Sequence, residues 1–456
     1  MRVLTVSFLV WVALVPLSSS VVVAGNDQEV AFQRKLAAFE KRLRELEARQ
    51  AKKEGSAKGE LVSEVREMRR QLDLLAEEVE KLRSGEAVID IDPEKARSLG
   101  LGPSAAAVYR KAEGTAIAGY GEMLYQNFGS ESQNGLKTGA TSELDFVRAI
   151  IYYGYRFSDK FVFNSEVELE HTDETSLEFA YVDYQARDHF SLRGGLLLMP
   201  MGLINEFHEP NVFLGATRPE TERRIIPTTW RENGFGVVGS TGRVNYRAYL
   251  VNGLDAGGFS AAGLRKGRQK GSQAHSSDFA FVGRLDVNPT PGVFFGGSLY
   301  VGDSGQGRFE FQGRQLDVRT TIGELHGQAQ FRGWDLRGLY ARATVDDAAE
   351  LTTLLGLSSP IADTLQGWYL QVGYNILAPY SAHLRVTPYY RFERLDTQSK
   401  VPAGFLSDPD RDQTFHTLGF EFRPLYNIVV KTDYQWLRNE AKTGVNQFNI
   451  ALGYSF

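Results

Sequence analysis

Four arginines, Arg218, Arg223, Arg224 and Arg231, share the stretch 200–232 with Glu206, Glu209, Glu220, Glu222 and Glu232. A guanidinium presents a planar fork of donors that matches phosphate and carboxylate, so this concentration could draw anions. The same arginines could instead pair with the neighbouring glutamates and only pin the segment. A stretch of this length with no evident helix is usually functional or disordered. Its apolar and proline punctuation (Phe207, Pro210, Val212, Phe213, Leu214, Pro219, Ile225, Ile226, Pro227, Trp230) suggests that it packs against a wall. Other chemistry finds no support. There is no G-x-S-x-G nucleophile elbow, and the seven histidines are scattered without a pair at zinc-site spacing. No cofactor, metal or catalytic residue is therefore expected. The string Gly234–Gly239 reads G-x-G-x-x-G, but it lies in a short strand and runs into a tight turn, with no helix to receive a pyrophosphate.

The elements that must position these residues are strands. Beyond Thr115 the apolar residues recur with a period of two. Strands are expected near 115–128, 143–157, 160–171, 177–186, 191–199, 233–240, 243–252, 278–288, 293–302, 317–331, 335–345, 365–377, 382–394, 414–423, 427–438 and 445–456. These make about sixteen, an even number that suits an antiparallel bacterial barrel. The joints after even strands are short, and those after odd strands are mostly long, including 129–142, 200–232, 253–277, 346–364 and 395–413. Short turns on one rim and long loops on the other are the outer-membrane arrangement, with the short side in the periplasm. The arginine-bearing stretch is then the third long-side loop. In the closing strand, Phe448, Ile450, Leu452, Tyr454 and Phe456 share one face. That strand should pair with Thr115 to Phe128, leaving Phe456 at the periplasmic rim. The sixth strand is short, and either face of the eleventh could point outward.

A barrel of about sixteen strands is too wide for its own side chains to fill, so an aqueous channel is expected. In the second strand Val147, Ala149, Ile151, Tyr153 and Tyr155 form the lipid face, which turns Arg148 inward. The same parity turns Arg193, Arg247, Arg284, Arg385, Arg391 and Lys431 inward, along with Glu166, Glu168, Glu170, Asp286, Glu324, Glu393, Glu421 and Asp433. With both signs inside, local placement must set any ion preference. The candidate solute-binding residues are Arg218, Arg223, Arg224 and Arg231 at the constriction, with Arg148, Arg193, Arg247, Arg284 and Lys431 along the lumen. The runs Arg265–Arg268 and Asp408–Asp412 read as solvated loop faces, the first able to meet anionic lipopolysaccharide.

Ahead of the barrel, 1–24 reads as a secretory signal peptide, with Arg2, an apolar run and a small-residue site ending at Ala24. Residues 25–84 read as a periplasmic coiled coil. Phe32, Leu36, Phe39, Leu43 and Leu46 form one heptad series, and Leu61, Val65, Met68, Leu72, Leu75, Val79 and Leu82 another. The break at 55–59 allows two stacked segments or a helix folded back on its neighbour. A single amphipathic helix on the barrel rim is the plainer alternative. Residues 85–114 read as a linker with a short helix from Pro93 to Ser98, and 115–456 as the barrel. The chain has no cysteine, which excludes disulfides, and its formal charge of −5 argues against a nucleic-acid partner.

Glu178-Phe179-Ala180-Tyr181-Val182-Asp183-Tyr184, Leu192 to Gly195 leading to Pro200-Met201-Gly202, Tyr249-Leu250-Val251-Asn252-Gly253 and the terminal aromatic together resemble the phosphate-selective porin O and P family. The resemblance implies a trimeric outer-membrane channel with an inward-folded third loop and ladders of basic residues that draw anions through. The acidic lumen positions depart from a dedicated phosphate channel. The fold class expected is thus all-β transmembrane, a 16-stranded antiparallel outer-membrane β-barrel preceded by an α-helical coiled coil. The role expected is passive diffusion of small hydrophilic solutes, including anions such as phosphate, in a homotrimer embedded in outer-membrane lipid and lipopolysaccharide. The alternative is a barrel that serves as an anchor, with a coil that tethers or spaces the membrane from the cell wall.

Overall fold

The protein is described here by a computed structural model covering residues 93–380 and 384–456. The expected signal peptide and coiled coil lie outside the described residues. Alternation of apolar and polar side chains beyond residue 113 builds sixteen barrel strands. They are β1 (Gly114–Ser132), β2 (Glu143–Arg156), β3 (Phe161–Glu170), β4 (Glu174–Arg187), β5 (Phe190–Leu198), β6 (Arg231–Thr241), β7 (Val244–Asn252) and β8 (Phe279–Thr290). The second half comprises β9 (Val293–Asp303), β10 (Arg319–Phe331), β11 (Trp334–Val345), β12 (Thr364–Tyr374), β13 (Arg385–Lys400), β14 (Asp412–Leu425), β15 (Ile428–Asn439) and β16 (Val445–Ser455). Each strand pairs antiparallel with the next, and β16 returns to β1, matching Tyr120 with Ser455 and Phe128 with Gln447. Reciprocal hydrogen bonds between Gly119 and Phe456, at 2.8 and 2.9 Å, finish that seam. The short and long connections fall on opposite rims as their parity requires.

The outward faces are apolar. Ile151, Tyr153 and Tyr155 on β2 are exposed, as are Leu370 on β12 and Phe456, which is 64% exposed. Aromatic pairs ring the short-turn end: Tyr155 with Phe157, Phe161 with Tyr184, and Trp334 with Tyr374, all with centroids 4.8–4.9 Å apart. Amphipathic rings at this level suit a headgroup boundary. The eleventh strand loses its polar–apolar contrast in its second half for a physical reason. Trp334, Leu336 and Tyr340 point outward, while Leu339, Ala341 and Ala343 join a buried apolar cluster that includes Ile225 and Ile226 of the loop after β5.

The interior is not lined by strand side chains alone. Two pieces of chain occupy it. One is the loop after β5, residues 199–230. The other is the segment entering β1, where α1 (Pro93–Ser98) leads to a 3-10 turn at Ala105–Arg110. Inward side chains on four strands hold this second segment. Arg193 donates to the Leu99 carbonyl at 3.0 Å, Arg247 to the Arg97 carbonyl at 2.8 Å, and Asn164 to the Ala105 carbonyl at 2.8 Å. Tyr109 donates to Asp183 at 2.6 Å. Gly154 on β2 is required here, because a Cβ at that position would lie 2.5 Å from Val108 Cβ. Residues 93–110 thus do more than link, since they pack across the inner wall of β2–β9.

Two outcomes follow. Ile151→Arg, a charge on the lipid face near mid-strand, should lower barrel stability in vesicles by about 2–4 kcal/mol, measured by urea-dependent unfolding. Arg193→Ala removes the charge-assisted bond to Leu99 and leaves Asp183 without its fork. Hydrogen exchange across 96–110 should then speed by roughly tenfold to a hundredfold, and unchanged exchange would mean the segment is held by other contacts.

Candidate functional site

The loop at 199–230, hereafter L3, leaves the long-loop end of β5 and crosses to the opposite wall. Its base is set by Asn205. That side chain donates to the Met199 and Trp230 carbonyls at 2.7 and 2.9 Å and accepts from the Trp230 amide at 2.6 Å. Glu222 staples the turn above it, accepting from the Leu203 and Ile204 amides at 2.9 and 2.8 Å and from Tyr369 of β12 at 2.6 Å. Far-wall anchors follow. Asn211 donates to Ser455, the Ala216 amide to Asp433 at 2.7 Å, and Gln435 to Thr217 at 2.7 Å. The helix α2 (Glu220–Arg224) begins with its free amides aimed at Glu393 of β13, a carboxylate at the positive end of a helical turn.

Several inward-facing basic residues are tied into this scaffold. Arg193 forks onto Asp183 at 2.7 and 2.9 Å and lies over the Tyr181 ring. Arg247 and Arg284 share Asp286, at 2.9 and 2.8 Å, and both approach Glu206 of L3. Arg284 also donates to the Gly202 carbonyl and meets His326. Arg148 lies 3.4 Å from Glu122 and 3.8 Å from Glu168. Lys431 sits 3.8 Å above the Phe213 ring of L3. On α2, both Arg223 and Arg224 pair with Glu220 one turn back, as adjacent positions on a helix face allow.

A different set of arginines gathers where L3 meets the next long loop, 253–278. Arg218 donates to Thr229 Oγ1 at 2.8 Å, and Arg268 donates to the carbonyl of the same residue. Arg231 reaches Ser176 at 3.0 Å and lies 3.9 Å from Glu178 of β4. Sequence periodicity places Arg231 in the loop, but it is the first residue of β6, paired with Leu198, because the β5–β6 ladder runs two residues further than the alternation reveals. Arg218 Nη2, Arg231 Nε and Arg265 Nη1 are buried with no hydrogen-bond partner among the described residues. Burial, then repulsion from Arg268, Arg223 and Arg218, pushes Arg265 down to about 9. Burial and repulsion from Arg231 and Arg218, against the pull of Glu178, push Arg268 down to about 10. The cationic forms are therefore under strain that an anion would relieve. Arg265 and Arg268 were legible only as a basic run, and nothing in their sequence neighbours says that this loop folds onto L3.

A third cluster was not legible at all. Glu166 of β3, Glu178 of β4 and His208 of L3 converge, with one donor atom from each within 4.8 Å of the others.

No family model matches the chain. An uncharacterized protein of Aquifex aeolicus (strain VF5) is 38% identical over 360 residues, covering 74% of this chain and 78% of that relative. Among solved structures, the loop L8 deletion mutant of OmpT, an outer membrane protein of Vibrio cholerae, superposes with a TM-score of 0.50. The match is 11% identical in sequence and covers 76% of this chain and 100% of that one. At that identity the likeness concerns the fold. The chain belongs to the same family as the Aquifex aeolicus protein, and it carries the general outer-membrane β-barrel porin fold.

Proposed function

We propose that the protein is a narrow, non-catalytic diffusion channel of the bacterial outer membrane, that L3 is its restriction, and that it favours small anions such as phosphate. The observation that carries this reading is the cluster of Arg218, Arg231, Arg265 and Arg268, where three guanidinium nitrogens are buried without hydrogen-bond partners and the one ion pair among the described residues is Arg231 with Glu178, at 3.9 Å. Cations held this close need counter-charge, and a solute phosphate or carboxylate supplies it through forked hydrogen bonds. A polar seam along the opposite wall offers a continuation. Thr387 Oγ1, Thr417 Oγ1, Glu421 Oε2 and Lys431 Nζ are buried on β13–β15 without hydrogen-bond partners among the described residues, and such groups demand water or solute. Arg193, Arg247 and Arg284, which already have carboxylate partners, serve in this reading to hold L3 and the 96–110 segment. A homotrimer is the assembly that the family resemblance implies, and the heptad period at 25–84 suits helices that associate along it.

A specific observation favours a second reading. The inner wall of β2–β9 lies beneath L3 and residues 96–110, with Glu166, Asp183, Arg247 and Asp286 almost completely buried. A barrel so filled could serve chiefly as an anchor for a periplasmic spacer or wall tether.

Recording in planar bilayers separates the two. The channel reading expects small stepwise conductance that rises when residues 93–110 are deleted. A barrel that stays sealed in both forms would leave only the anchor. In a salt gradient, the double substitution Arg218→Ser and Arg268→Ser should lower the anion-to-cation permeability ratio by roughly fivefold. This corresponds to about 1 kcal/mol of lost attraction, the scale of a unit charge pair a few ångströms apart in water. Arg223→Ala should change the ratio less, because Glu220 already neutralises that guanidinium.

A further inference from the structure

We infer that Glu166, Glu178 and His208 form a binding site for a divalent transition-metal ion of the zinc type, which would staple L3 to the β3–β4 wall. His208 Nε2 lies 2.6 Å from Glu178 Oε2 and 3.3 Å from Glu166 Oε1, and all three side chains are at most 2% exposed. The other ring nitrogen, Nδ1, donates to the Asn205 carbonyl at 2.9 Å. This is the second-shell bond that orients a ligating imidazole and turns its Nε2 lone pair toward the ion. Asn205 is itself held at both ends by the Met199 and Trp230 backbone, so the imidazole has a rigid support.

The wall is shaped for the same point. Glu166 pairs with Phe179 and Val167 with Leu177, which leaves Glu178 as the extra residue of a β-bulge. Bulges re-aim side chains, and this one turns Glu178 inward beside Phe179 when alternation alone would send one of the two to lipid. Glu166 Oε2 is buried with no hydrogen-bond partner among the described residues, while Oε1 of the same carboxylate is the oxygen that faces His208. One nitrogen and two carboxylates suit a zinc-type ion and leave a fourth position for water. The rival account is a protonated imidazole shared by two carboxylates with no ion.

The test uses the refolded full chain, stripped with chelator and titrated with Zn2+ alone. The site predicts one Zn2+ per chain and a higher unfolding temperature in its presence. In His208→Ala and Glu178→Gln, affinity should fall by about tenfold to a hundredfold or be lost, with folding of each variant checked by heat-modifiable gel migration. Zinc-edge X-ray absorption on the unmodified protein needs no variant, and a shell of one imidazole with oxygens would support the site. Absence of saturable uptake, uptake unchanged in both variants, or a shell of several imidazoles would overturn it.

Discussion

Closure is the constraint behind the whole molecule. In hydrocarbon no water can satisfy a strand edge, so every backbone N–H and C=O at that depth needs a protein partner. The β1–β16 seam meets this requirement by joining the first and last strands of the chain, and the terminal residue itself takes part through Gly119. With the edges joined, strand parity has only one consistent solution. Apolar residues face lipid and charged ones face inward, and the connections sort into short and long rims.

Closure also creates the second problem, a cavity that wall side chains alone cannot fill. The protein meets it with chain from two sources, L3 and residues 96–110, and with charge pairing. Inward arginines and acids would be costly if buried alone, since desolvation of an ion is recovered only by close partners and hydrogen bonds. Asp286 shared by Arg247 and Arg284, Asp183 forked by Arg193, and Glu222 holding three donors of L3 and β12 answer that demand. The two insertions also brace one another, because Glu209 of L3 accepts from both the Ser104 amide and its hydroxyl at 3.0 Å. Against this background of paired charge, Arg218, Arg265 and Arg268 at the junction of L3 and residues 253–278 make no ion pair among the described residues, while Arg231 keeps one with Glu178 at 3.9 Å.

Much of the fold was legible because β-structure writes itself locally. A period of two names the faces of β2 from Val147 to Tyr155 without any knowledge of neighbours, and the polar joint at Ser158-Asp159 marks its end. The short helix at Pro93–Ser98 was readable from its proline start. β11 resisted for the opposite reason. Beyond the paired Asp335 and Arg337, its inward residues Leu339, Ala341 and Ala343 meet protein rather than water, so the usual contrast faded there. Arg231 was assigned to the loop because ladder pairing to Leu198 has no local sequence mark.

By itself, then, the sequence determined the barrel, its approximate strand number and the direction of most faces, β11 excepted, since all of these follow from short-range alternation against lipid. Only the tertiary structure decided which charges are spent on one another and which remain unpaired. Arg193 and Arg268 are alike in sequence terms, yet one is locked onto Asp183 and the other sits among cations. Likewise Glu166, Glu178 and His208 meet only because a bulge turns one strand and a loop crosses the lumen. Contacts between residues far apart in the chain are set by how the enclosed space is filled, and the alternation of a strand carries no information about that.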